Sequence, residues 1–190
     1  MKPKKLAFSA IFICFAAALS ALETMLPPIV PIAGIRLGLG NIVILFVLYI
    51  GGCWKAADAL IVTALRCILA ALIVGSPMSA IYGLAGGSLA WLAMMCGKRI
   101  FPKLTENGVS RPNEQYLPFT AIMGAVFHIA GQMAVAVVFY GSKYVLAYTP
   151  ILLASAIIGG LFTGFLTMLL LNKLPKSLRD GIRNANSNVK

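Results

Sequence analysis

Six stretches of the chain are dominated by apolar side chains, and the short segments between them hold most of the charge. The runs cover about residues 6–26, 39–52, 56–74, 78–96, 117–140 and 148–171. A hydrocarbon-spanning backbone must satisfy its own N–H and C=O groups, so each run reads as a helix. A span needs ~20 residues at 1.5 Å each, and the second run is short by that measure. The first follows Lys2, Lys4 and Lys5, as a signal peptide would. It is long, however, ends in Glu23-Thr24-Met25-Leu26-Pro27-Pro28 and lacks a small-residue cleavage site, so it reads as a retained span. A polar loop over 98–116, with Pro102, Asn107, Gly108, Pro112 and Asn113, separates four spans from two, and a basic tail follows from 173 to 190.

Composition sharpens this picture. The 190 residues are 60% hydrophobic and 11% charged, with mean hydropathy +0.92. Soluble domains are roughly 45–50% apolar and about 25% charged, so a water-soluble globule is excluded, and disorder with it. The net charge of +11 does not mark a nucleic-acid binder, because the basic residues sit between apolar runs rather than on one polar face. With both termini inside, the inner segments hold Lys2, Lys4, Lys5, Lys55, Lys98, Arg99, Lys103, Arg111, Lys173, Lys176, Arg179, Arg183 and Lys190, against Arg36 and Lys143 outside. That asymmetry is the positive-inside pattern. The expectation is an all-α, six-span bundle in the cell membrane, a single domain with cytoplasmic termini. Cys14, Cys53, Cys67 and Cys96 are irregularly spaced and lie in or beside apolar runs, as packing residues do.

Candidate chemistry lies in the polar residues that interrupt the apolar runs. Arg66 is about ten residues from either end of its span. Such an Arg costs about 2.5–3.5 kcal/mol on insertion scales and needs a partner or a water-filled cavity. Asp58 is two helical turns away, about 12 Å at the helical rise, too far to pair with it. His128 and Gln132 are four apart and share one helix face, at a depth compatible with Arg66. They either hydrogen-bond between helices or line a ligand site with Arg66. Arg36-Leu-Gly-Leu-Gly-Asn41 opens the second span. There Arg36 and Asn41 are expected near the outer surface, with Glu23 at the same side, as interfacial and capping groups or as the mouth of that cavity. Two arginines against Glu23 favour a ligand with an anionic group. The apolar, proline-rich segment 27–34 between the first two spans is either an interfacial linker or a lid.

Small residues on the first span, Ala10, Cys14 and Ala18 with Ala17 and Ala21 beside them, permit close helix approach, within the bundle or toward a membrane partner. No phosphate-binding glycine-lysine loop, metallohydrolase motif, serine-hydrolase elbow or haem-type His pair is present. The five acidic residues are scattered, without an Asp-rich cluster to hold Mg²⁺ on a diphosphate. Neither catalysis by this chain alone, nor a metal, nor a cofactor is expected.

Four segments together carry a resemblance: Arg36-Leu-Gly-Leu-Gly-Asn41; Leu65-Arg66 with Gly75-Ser76; Tyr82-Gly-Leu-Ala-Gly-Gly87; and Gly124-Ala-Val-Phe-His-Ile-Ala-Gly-Gln132. In this order they resemble the membrane family called heptaprenyl diphosphate synthase component I, or Gx transporter family, over most of residues 5–172. That family is grouped with the substrate-binding S components of energy-coupling factor (ECF) transporters. The resemblance implies a six-helix S-component-like bundle that takes a vitamin-like small molecule from outside, under the loop after the first span. It also implies docking on a transmembrane subunit driven by ATPases, which the small-residue face of the first span would suit. The synthase name implies instead a non-catalytic membrane partner of a prenyl synthase subunit in isoprenoid or menaquinone synthesis.

Overall fold

The computed structural model describes residues 3–25, 38–101, 103–106, 109–112 and 114–185. The helices are α1 (Pro3–Met25), α2 (Asn41–Ile50), α3 (Ala56–Val74), α4 (Pro77–Ile100), α5 (Leu117–Tyr140), α6 (Ser142–Ala147), α7 (Thr149–Lys173) and α8 (Lys176–Arg183). Between α4 and α5 lie a two-stranded antiparallel hairpin, β1 (Lys103–Glu106) with β2 (Val109–Pro112), and a 3₁₀ turn at Glu114–Tyr116. The hairpin replaces part of the loop expected over 98–116. The rest of that segment's start belongs to α4, whose last turn carries Lys98 and Arg99.

Five helices, α1, α3, α4, α5 and α7, are long and apolar enough to cross a membrane. The second expected span is not. α2 has ten residues, about 15 Å at the helical rise, half of a ~30 Å hydrocarbon core. All ten are buried, enclosed by α1, α3, α4, α5 and α7. The run from 39 to 52 is apolar because it is a core helix, with Gly40 before it and Gly51 after it.

The size of the side chains sorts inside from outside. Ala59, Ala70, Ala90, Ala121, Ala125, Ala136 and Ala156 are buried, while Phe15, Leu72, Val138, Ile158, Phe162 and Phe165 point outward. Large apolar groups gain nothing by leaving lipid, whereas small ones let backbones meet. The α4–α5 and α5–α7 contacts are the most extensive between helices. A Cβ on Gly131 would lie 2.5 Å from the Ala85 carbonyl oxygen, and one on Gly160 would lie 2.7 Å from the Ile122 Cα.

The start of α1, the start of α3, the end of α4, the end of α7 and α8 share one end of the bundle. There Lys5 pairs with Asp58 at 2.8 Å and donates to the Cys53 carbonyl. Asp58, expected to be out of reach of Arg66, also accepts the Lys55 N–H at 2.7 Å and so caps α3. The tail expected from 173 holds α8, which closes this end. Trp54 Nε1 donates to the Ile182 carbonyl at 2.9 Å, Cys53 N–H to Arg183 O at 2.8 Å, and Arg183 Nε to Ile50 O at 2.7 Å. Gly52, at φ +70°, would drive a Cβ to 2.5 Å from Arg183 O. Lys5, Lys55, Lys98 and Arg183 lie at this end, whereas Arg66 lies inside the bundle.

Two glycine substitutions should separate close packing from helix propensity. Gly131→Ala should lower unfolding stability in detergent micelles by about 1–3 kcal/mol, through forced separation of α4 and α5. Gly181→Ala, in α8 with open space around its Cβ position, should be neutral or raise stability by about 0.5–1 kcal/mol.

Candidate functional site

α2 begins in the middle of the bundle, not at its surface. Asn41, expected near the outer face, is 2% exposed, and its Oδ1 accepts from Arg66 Nη2 at 3.0 Å. Arg66, in the middle of α3, is itself 3% exposed. Its Nη1 donates to Ser20 Oγ at 2.7 Å, while its Nε has no hydrogen-bond partner among the described residues. The arginine is therefore held by two neutral oxygens, one from α1 and one from α2.

Glu23 stands one turn beyond Ser20 on the inward face of α1 and is buried. Its two carboxylate oxygens accept the backbone N–H groups of Gly38 at 2.6 Å and Leu39 at 2.9 Å. These two N–H groups belong to the turn that leads into α2, whose first N–H groups, on Asn41 and Ile42, bond back to Gly38 O and Leu39 O, so the carboxylate sits near the positive end of the helix dipole. Gly38 sits at φ +85°, a conformation that glycine adopts without a Cβ penalty. A Cβ there would also crowd the His128 ring at 3.1 Å, and one on Gly40 would fall 2.2 Å from Arg66 Nη1.

His128 and Gln132 complete the centre from the middle of α5. Both are buried, and Gln132 Nε2 lies 3.0 Å from His128 Nε2. The glycines of α4 bring that helix to the same point. A Cβ on Gly86 would meet His128 O at 2.8 Å, and one on Gly87 would meet Thr63 Cγ2 at 2.7 Å.

These groups enclose a cavity of about 10 Å³, lined on its polar side by Ser20, Glu23, Arg66, His128 and Gln132 and elsewhere by Gly38, Cys67, Ala70, Ser79 and Gly83. That volume holds about one water molecule. The centre is thus assembled with little free space between its groups.

Of the site residues expected from sequence, Glu23, Asn41, Arg66, His128 and Gln132 come together. Arg36 and the segment 27–34 lie outside the described residues. The small-residue face of α1 divides: Ala10, Cys14 and Ala18 are exposed along one stripe, whereas Ala17 and Ala21 are buried against the bundle. Sequence reasoning missed Ser20, Cys67 and Ser79. Ser20 could have been found from its three-residue spacing to Glu23, which places both on one face of α1. Among the described residues, no group of three His, Cys, Asp or Glu is placed to hold a metal ion.

The fold and the centre define a helical bundle of membrane-spanning dimensions with a buried polar core. The model of one family, heptaprenyl diphosphate synthase component I, matches residues 12–170, and the chain belongs to that family. The name denotes one component of a multi-component synthase and so implies a partner subunit. No curated protein and no solved structure matches the chain.

The packing of α2 against the arginine generates a direct expectation. Gly40→Ala should push Arg66 off Ser20 and lower unfolding stability in micelles by about 1–3 kcal/mol.

Proposed function

We propose that this chain is a substrate-binding subunit of a membrane uptake system, similar to an ECF-type S component, and that it takes a small anionic molecule at the Arg66 centre. The observation that carries this reading is the convergence of Glu23, Arg66, His128 and Gln132 on one cavity in the middle of an otherwise apolar bundle, with Asn41 holding Arg66 from behind. Intramembrane ionisable groups are expensive and gather on substrate paths. Arg66 held by neutral oxygens retains capacity for an anion, and the half-length α2 presents a helix N-terminus at mid-depth, where discontinuous helices commonly meet substrate. In this reading the basic end of the bundle faces the cytoplasm of a cell membrane, with both termini inside. The cargo, vitamin-like or from an isoprenoid pathway, enters from the other side, and the cavity opens to admit it. The exposed Ala10–Cys14–Ala18 stripe docks a transmembrane subunit coupled to ATPases.

The family name favours a second reading: a non-catalytic membrane component that serves a prenyl diphosphate synthase. It keeps the chain in the membrane but makes its main partner a synthase subunit.

Native mass spectrometry of the purified protein tests the first reading. The wild type should retain a small molecule, and Arg66→Ala or His128→Ala should release it. Arg66→Met, which fills the volume without the charge, should keep the fold while losing the molecule. If the same mass stays bound to all three variants, the centre is not the site. Affinity capture then separates the readings, since ATPase-coupled membrane subunits support uptake and a prenyl synthase subunit supports the accessory role.

A further inference from the structure

Glu23 already holds the position that an anionic ligand would want. Its two oxygens, joined through one carbon, each take one N–H at the start of α2. A ligand carboxylate or phosphate has two oxygens on one central atom in the same relation. Two facts bear on whether such a group could bind beside Glu23. The cavity has about 10 Å³, room for a water but not for an oxyanion. Moreover, the Gly38 and Leu39 N–H groups that a ligand oxyanion would use are already taken by the Glu23 carboxylate. Entry therefore requires the carboxylate to leave.

Which groups can leave follows from their places in the fold. Arg66, His128 and Gln132 project from the middles of α3 and α5. Glu23 projects from the last turn of α1, a helix largely exposed along one side. Arg66, 3% exposed, lines the same cavity and keeps its Nε without a partner among the described residues. An arriving oxyanion could take the Gly38 and Leu39 N–H groups and meet a cation whose present partners are neutral.

We infer that Glu23 is a built-in competitor for the ligand: its carboxylate occupies the oxyanion subsite formed by the Gly38 and Leu39 amides beside Arg66, and a carboxylate or phosphate group of the ligand binds by displacing it. The inference rests on the reading of the Arg66 centre as a ligand site. It makes Glu23 a determinant of threshold, because the ligand must outbid a tethered carboxylate at high effective concentration.

Glu23→Gln tests it. The amide can accept one of the two N–H groups but presents its own NH₂ to the other, so the tether weakens at constant volume. Full-length protein in micelles is titrated with sodium acetate and, separately, inorganic phosphate, at fixed pH and ionic strength with chloride as the control. Apparent affinity is read from the concentration dependence of thermal unfolding. Glu23→Gln should bind at least one of the two probes about tenfold or more tightly than wild type, and Glu23→Gln with Arg66→Gln should lose that gain. The probe that gains identifies carboxylate or phosphate as the ligand group. Equal or weaker binding by Glu23→Gln overturns the inference. If Glu23→Gln does not fold, wild-type protein labelled with ¹³C at glutamate carboxyls decides: saturating probe should shift the Glu23 carboxyl and Gly38 amide resonances together, and an unmoved Glu23 signal overturns the inference. Native mass spectrometry keeps the two failures apart. If wild type retains an Arg66-dependent molecule that Glu23→Gln releases, Glu23 is a direct ligand contact and only the displacement idea falls. If no molecule is retained and neither probe binds any form, the ligand site falls with it.

Discussion

A ten-residue helix buried on every side must find partners for its end groups without help from water, and the bundle is arranged around that requirement. An unsatisfied backbone group in an apolar interior costs several kcal/mol. At one end of α2 the Glu23 carboxylate takes the Gly38 and Leu39 N–H groups of the turn that leads into the helix, and that turn's carbonyls take the N–H groups of Asn41 and Ile42. At the other, Lys98 donates to Leu48 O and Arg183 to Ile50 O, with Lys5 on Cys53 O just beyond. The signs match the helix dipole, with the anion at the N-terminus and cations at the C-terminus. α1, α4 and α8 each contribute a charged side chain to α2, so the short helix orders the long ones as much as they enclose it.

The polar centre is the same device seen from its other side. Once α2 starts at mid-depth, its first residue and the turn before it bring Gly38, Gly40 and Asn41 against Arg66 and His128. Glycine lets the parts fit. Gly38 and Gly40 clear the arginine and the imidazole, and Gly86 and Gly87 let α4 close over them. The result is a tightly packed polar core with about one water's worth of space.

Much of this was legible in the sequence. The long apolar runs become α1, α3, α4, α5 and α7 because a run of that length and composition has few alternatives. Arg66, His128 and Gln132 were identifiable because polar groups in such runs need one another, and helical spacing fixes which of them share a face. The depth of Asn41 was not legible. An apolar run reads alike whether lipid or protein surrounds it, so α2 passed for a span although the glycines at its ends already marked its true length. Ser20 was hidden because a lone serine in an apolar helix usually satisfies itself on its own backbone. The hairpin of β1 and β2 had a sequence signal, Asn107-Gly108 between two short segments, which polarity alone obscured. The outward and inward halves of the α1 alanine face could be separated only once α1 had neighbours.

The position of α8 in chain order has a consequence for assembly. It is the last described helix, yet its backbone and Arg183 seal the turn after α2, an element made more than a hundred residues earlier. Until α8 docks, the Ile50 carbonyl lacks its Arg183 partner and the Trp54 indole its carbonyl. The closing of this end of the bundle is therefore a non-local event, which ties the central helix to a segment far from it in the chain.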